Sequence, residues 1–171
     1  MFLTEANKDN TLANIFGCRA MQCLYICTIA MMIAQILKFI IYTIRDRKPN
    51  WHMLFSTGGF PSSHTAFTAS LCINLAMFQI HDSGELDWSF AVAFAFCMIT
   101  ITDARGVRFE ASKHAKILNN LVASYSEEEK RMLGYGENGH LKELLGHKGK
   151  EVLGGFLVAG IVSIIGFMIC I

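Results

Sequence analysis

The stretch GGFPSSHTAF, residues 58–67, sets two serines and a histidine at the head of an apolar run. Pro61 suits the approach to a helix, and Ser62 or Ser63 suits its N-cap. The unpaired N–H groups and positive end of such a helix favour an anion. Gly58 and Gly59 let the backbone fold close to a bound group. Upstream, Lys38 and Arg45 are seven residues apart, about two turns of a helix, so they share one face. Lys38 lies inside an apolar run, where a charge is costly and either marks function or snorkels to the headgroups. Downstream, His147 and Glu151 in HKGKE are four apart, which on a helix brings the carboxylate to one ring nitrogen. That contact fixes the tautomer and leaves the other nitrogen as a base or nucleophile. Lys142 lies five residues before His147. Each cluster alone has a plainer reading: a helix cap, a snorkelling lysine, a surface histidine beside a solvated carboxylate.

The elements that must hold these groups are membrane helices. The chain has 171 residues, 53% hydrophobic and 17% charged, against about 25% charged in an ordinary soluble domain. Its net charge of +1 gives no footprint for nucleic acid. Residues 21–44 form a 24-residue apolar run with one charge, and residues 152–171 form a 20-residue run without any. Each is long enough to cross a hydrocarbon core of roughly 30 Å. Two shorter runs, 65–80 and 88–102, are membrane hairpin arms or helices buried by the others. The six cysteines show neither a C-x-x-C pair nor zinc spacing and read as small apolar side chains between helices. Residues 1–13 form a polar tail without the basic start of a signal peptide.

The stretch 103–150 is polar yet patterned. Val107, Ala111, Ala115, Leu118 and Val122 recur at helical spacing. Ser126 and Glu129 form a capping box before a short helix that stops near Gly134 and Gly136. Another helical piece begins at residues 140–147. The expected fold is therefore all-α: a single membrane domain, a polytopic bundle of about four spans, with short interfacial helices between spans three and four. Four spans put 45–63 and 103–150 on one side, with twelve of the fifteen Lys and Arg. The positive-inside rule makes that side cytoplasmic.

Lys-x6-Arg, Pro-Ser-x-His and His-x3-acid, in this order, resemble the phosphatidic acid phosphatase type 2 superfamily, which includes vanadium haloperoxidases. GGFPSSHTA, DARGVR (103–108), ILNNL (117–121) and LKELLGHKGKEVLGG (141–155) look like its divergent branch of small bacterial and plastid membrane proteins, over about residues 34–160. The resemblance implies a metal-independent phosphatase acting on a phosphorylated lipid, with membrane lipids as surroundings. No cofactor is implied, and vanadate would serve only as a phosphate mimic. By position, His147 would form a phosphohistidine, Glu151 would orient it, and His64 would protonate the leaving alkoxide. Lys38, Arg45, Ser62 and Ser63 would hold the phosphoryl oxygens. This chain departs from the pattern in places: Arg45-Asp46 replaces Arg-Pro, Ser62-Ser63-His64 replaces Ser-Gly-His, and Glu151 replaces Asp. Leu141 stands where the third motif has Arg, with Lys142 one place off. Arg108 is the substitute for that arginine, held by Asp103, unless Asp103 pairs with Arg105 instead. A scaffold holding a phospholipid headgroup and a lipid transporter or flippase component are the alternative functions.

Overall fold

The computed structural model describes residues 17–56, 58–134, 141 and 149–171, among which helices are joined by turns and no strand occurs. The polar tail 1–13, Gly136 and, Leu141 apart, the helical piece expected at 140–147 lie outside the described residues. Helix α1 spans Arg19–Asp46, and a 3-10 turn follows at Trp51–Leu54. Helix α2 spans Ser63–Ser83, α3 Trp88–Arg105 and α4 Val107–Val122. The short α5, Glu127–Met132, precedes α6, Gly149–Cys170.

Among the described residues, three helical stretches are long and apolar enough to cross a membrane: α1, the stretch Trp88–Val122 that takes in α3 and α4, and α6. Helix α2 falls short of that composition for a structural reason. It packs against α1, α3 and α6, and it hides Ser63, Thr65, Thr68, Ser70 and Asn74 among them. Of the two readings open for the second run, a helix buried by the others is the one observed. At 21 residues it is still about 31 Å long, so four helices of membrane length run side by side.

Their directions alternate. At one end Arg19, at the start of α1, grips both oxygens of Asp82 at 2.8 and 3.0 Å and donates to the Cys170 carbonyl at 3.2 Å. At the other, the Ser62 N–H donates to the Glu151 carbonyl at 2.9 Å, and Arg105 lies beside Gly149.

The packing is that of a membrane bundle. The α2–α3–α6 core is made of Ala69, Cys72, Ala93, Cys97 and Ala159, while Ile29, Met32, Ile36, Leu157, Ile161 and Ile165 face outward. Small residues let the helices approach closely, and large apolar ones meet lipid. Cys23, Cys27, Cys72 and Cys97 are buried free thiols, packed as expected. A polar seam joins α2 to α6: Ser70 and Ser163 share a hydrogen bond of 2.8 Å, and the Asn74 amide donates to the Ser70 carbonyl and the Ser163 hydroxyl at 2.7 and 3.1 Å.

Beyond α3 the backbone breaks at Gly106, where an added Cβ would stand 2.9 Å from the Thr102 carbonyl oxygen. Helix α4 then forms over the expected positions. Ala115 and Val122 are buried, but Val107 and Leu118 stay exposed, so the apolar stripe faces partly away from the bundle. The capping box on α5 is closed in both directions, Glu129 N–H to the Ser126 hydroxyl at 3.3 Å and Ser126 N–H to the Glu129 carboxylate at 2.8 Å. The Ser126 hydroxyl, which donates to the Glu129 carboxylate at 2.7 Å, and the Ser126 N–H together hold that carboxyl below its ordinary range.

Candidate functional site

The entrance to α2 is built by three helices. Ser62 is the N-cap: its hydroxyl accepts from the Thr65 N–H at 3.2 Å and the Thr65 hydroxyl at 3.0 Å. Helix α6 lies against this turn at backbone distance. A Cβ on Gly155 would sit 2.6 Å from the Ser62 carbonyl oxygen, and one on Gly154 would run into the Phe60 ring. On the α1 side, Gly59 has φ +99° and faces the Tyr42 hydroxyl, which an added Cβ would meet at 2.9 Å. The loop therefore needs glycine at 59 twice over, for its left-handed backbone and for the contact.

Lys38 is the central cation. It is wholly buried, on the same face of α1 as Cys27, Ala30 and Ala34, so it points into the bundle and does not snorkel. Its ammonium donates to the Ser56 carbonyl at 3.2 Å, and Glu151 on the first turn of α6 acts on it electrostatically. One turn earlier Gln35 donates to the Leu54 carbonyl at 2.7 Å. Two side chains of α1 thus strap the segment that leads into GGFPSSH. Ser56 braces the next step, accepting from the Gly58 N–H at 3.3 Å.

Three elements bring Lys38, Gly59, Ser62, Ser63 and Glu151 together at one end of the bundle. Ser62 serves there as a structural residue, since its N–H meets Glu151 and its hydroxyl caps the helix; Ser63 is buried beside it. His64, the second residue of α2, is exposed. Arg45 shares its helix face with Lys38, but its guanidinium turns to the surface, bonded to Asp46 at 2.7 Å and stacked on Tyr42 at 4.3 Å. Asp103 pairs with Arg108 across the Gly106 break, and Arg105 instead leans toward Gly149. Lys142 and His147 lie outside the described residues. Among the described residues, His, Cys, Asp and Glu side chains do not gather in threes, so they frame no metal site.

Sequence reasoning missed Gln35, Tyr42 and Ser56. Gln35 had a signal, being a polar residue one turn before Lys38 inside an apolar run. Ser56 contributes a backbone carbonyl, which any residue type supplies.

A family model described as the divergent PAP2 family matches residues 20–163. Among curated proteins, the chain is 37% identical over 142 residues to an uncharacterized membrane protein of Bacillus subtilis (strain 168), YuiD, covering 80% of this chain and 87% of that one. No solved structure matches the chain.

Proposed function

Since the chain belongs to the divergent PAP2 family, we propose that it is an integral membrane phosphatase that hydrolyses a phosphate monoester on a lipid through a phosphohistidine intermediate. The observation that carries this reading is Lys38. A lysine with no solvent exposure, set at the mouth of a membrane bundle with the Ser56 carbonyl and the Glu151 carboxylate around it, is a charge kept where it is costly, which marks a functional position. At the end of a spanning helix such a site lies level with the headgroup layer, so a lipid phosphate reaches it without leaving the bilayer.

In this mechanism the His147 imidazole attacks phosphorus and the P–O ester bond breaks. His64 gives its proton to the departing alkoxide, and Glu151 orients the nucleophile and stabilises its imidazolium form. Water then attacks the phosphohistidine and releases inorganic phosphate. Lys38, Arg45, Arg108, Lys142 and the hydroxyl of Ser63 meet the charge on the phosphoryl oxygens, with Asp103 setting Arg108 and Gly59 giving the loop room. Fixed cations and donors suffice for such a transition state. Vanadate binds as a mimic of the transferring group, and the site faces the cytoplasm.

Turnover of a panel of lipid phosphates by purified protein tests the reading. His147→Ala should abolish hydrolysis while leaving vanadate binding partly intact. Equal hydrolysis by wild type and His147→Ala would remove the assignment.

One observation favours a second reading, a scaffold that holds a lipid phosphate without turning it over. Arg45 and Arg108 are each already paired with a carboxylate, Asp46 and Asp103. A scaffold predicts no wild-type turnover and binding losses that follow Lys38 more than His147.

A further inference from the structure

We infer that Asn119 is a positioning residue for the proposed phosphatase site, holding the backbone at Leu141, from which the chain runs on to Lys142 and His147. The inference rests on the phosphatase reading for its consequence but not for its geometry. The Asn119 side-chain amide donates to the Leu141 carbonyl at 3.1 Å and accepts from the Leu141 N–H at 2.9 Å. Both polar groups of one residue are thus satisfied by one side chain, as a neighbouring strand would satisfy them. Asn119 is 7% exposed, so water is a poor replacement for either bond.

Side-chain chemistry makes the position demanding. Asparagine carries a donor and an acceptor in one plane; aspartate keeps only the acceptor, and alanine neither. The contact also joins elements far apart in sequence, 22 residues from Asn119 to Leu141. Helix α4 continues from α3 across Gly106, and Arg105, the last residue of α3, lies beside Gly149, where α6 begins. Leu141 is thus bonded through Asn119 to the helical arm that also carries Arg105. Asn120 is the contrasting residue: it is exposed and follows directly in sequence.

Hydrogen exchange and turnover, measured on full-length protein in nanodiscs, test the assignment. The variants are Asn119→Ala, Asn119→Asp and Asn120→Ala. In Asn119→Ala the amide of Leu141 should exchange at least about tenfold faster, the loss expected for one buried hydrogen bond. kcat per vanadate-titrated site should fall roughly 10- to 100-fold with KM within about twofold, because displacing a nucleophile by 1 Å costs on that order while the substrate's other contacts remain. Counting by titrated sites removes any contribution from misfolded protein. Asn119→Asp should recover part of both losses, since it still accepts from Leu141, and Asn120→Ala should match wild type. Wild-type exchange at Leu141 in Asn119→Ala, or lost protection with kcat per site unchanged, would overturn the inference. A wild type without turnover would instead remove the phosphatase reading. Vanadate affinity would then decide for Asn119: about tenfold weakening in Asn119→Ala supports it, and wild-type affinity overturns it.

Discussion

Lys38 shows how much one side chain contributes when water is kept from it. Its ammonium has the Ser56 carbonyl as a partner and the Glu151 carboxylate within electrostatic range, and removing it takes one positive charge from beside Glu151. Lys38→Met should therefore lower turnover by about 100-fold or more, the scale of losing one fixed donor at a reacting phosphoryl group. A double-mutant cycle of Lys38→Met with Glu151→Gln should return a coupling of about 0.5–3 kcal/mol, and strict additivity would mean that the two charges do not communicate. His64 makes a different prediction. His64→Ala should slow hydrolysis of alkyl phosphates strongly and nitrophenyl phosphate little, because nitrophenolate leaves without a proton; equal slowing would exclude it as the acid. Lys38 was legible in the sequence because a charge inside an apolar run is rare. Its partner at Ser56 was not, because a main-chain carbonyl leaves no mark on residue type. Nor was the outward turn of Arg45, which follows from an adjacent Asp46 competing for the guanidinium.

The contact between α2 and α6 is where helix geometry governs the site. Gly155 permits it, and a methyl group there would meet the Ser62 carbonyl at 2.6 Å and the Thr65 Cβ at 2.8 Å, so backbone must move. Gly155→Ala should destabilise the bundle by about 1–3 kcal/mol, read as a lower unfolding midpoint in detergent, and should reduce turnover together with stability. Gly160 meets no atom within 4 Å in the same test, so Gly160→Ala should leave both unchanged. Helix α5 offers a pH test. The Glu129 carboxyl is lowered from its ordinary value of 4.5 by its bonds to Ser126. A depressed folded value means that the cap contributes fully above the unfolded value and is lost as pH falls through the folded one. Intrinsic-rate-corrected exchange in 126–133 should therefore speed up on acidification from neutral pH to below 4.5, and Glu129→Gln should flatten that response. Ser-x-x-Glu was legible as a cap because both partners are local. The break at Gly106 was not anticipated; the third run continues as helix to Arg105, and only then does the chain turn.

At the scale of the whole molecule, the alternating helices give the two ends different characters. Arg19, Asp82 and the Cys170 carbonyl close one end, and the other gathers Lys38, the PSSH turn and Glu151. Positions 85 and 128 are exposed, one on the α2–α3 turn and one on α5. On a background free of cysteine, a thiol at 85 should react with an impermeant reagent from outside, and one at 128 only after permeabilisation. The reverse pattern would mean that the basic bias reflects the proposed phosphate site and not orientation in the membrane. By itself the sequence determined that the chain is helical and lives in a membrane, where its strongest spans lie, that Ser62 or Ser63 caps α2 and Ser126 caps α5, and which polar groups stand at odds with apolar surroundings. Those properties follow from local composition and spacing, which act within a few turns of helix. Only the tertiary structure decided that α2 is the central helix, that Ser62 and Glu151 share a backbone bond, that Asp103 takes Arg108 and not Arg105, and that Asn119 reaches Leu141. These depend on which helix faces approach one another, and close approach is set by small residues such as Gly154 and Gly155, whose importance lies in side-chain atoms they do not have.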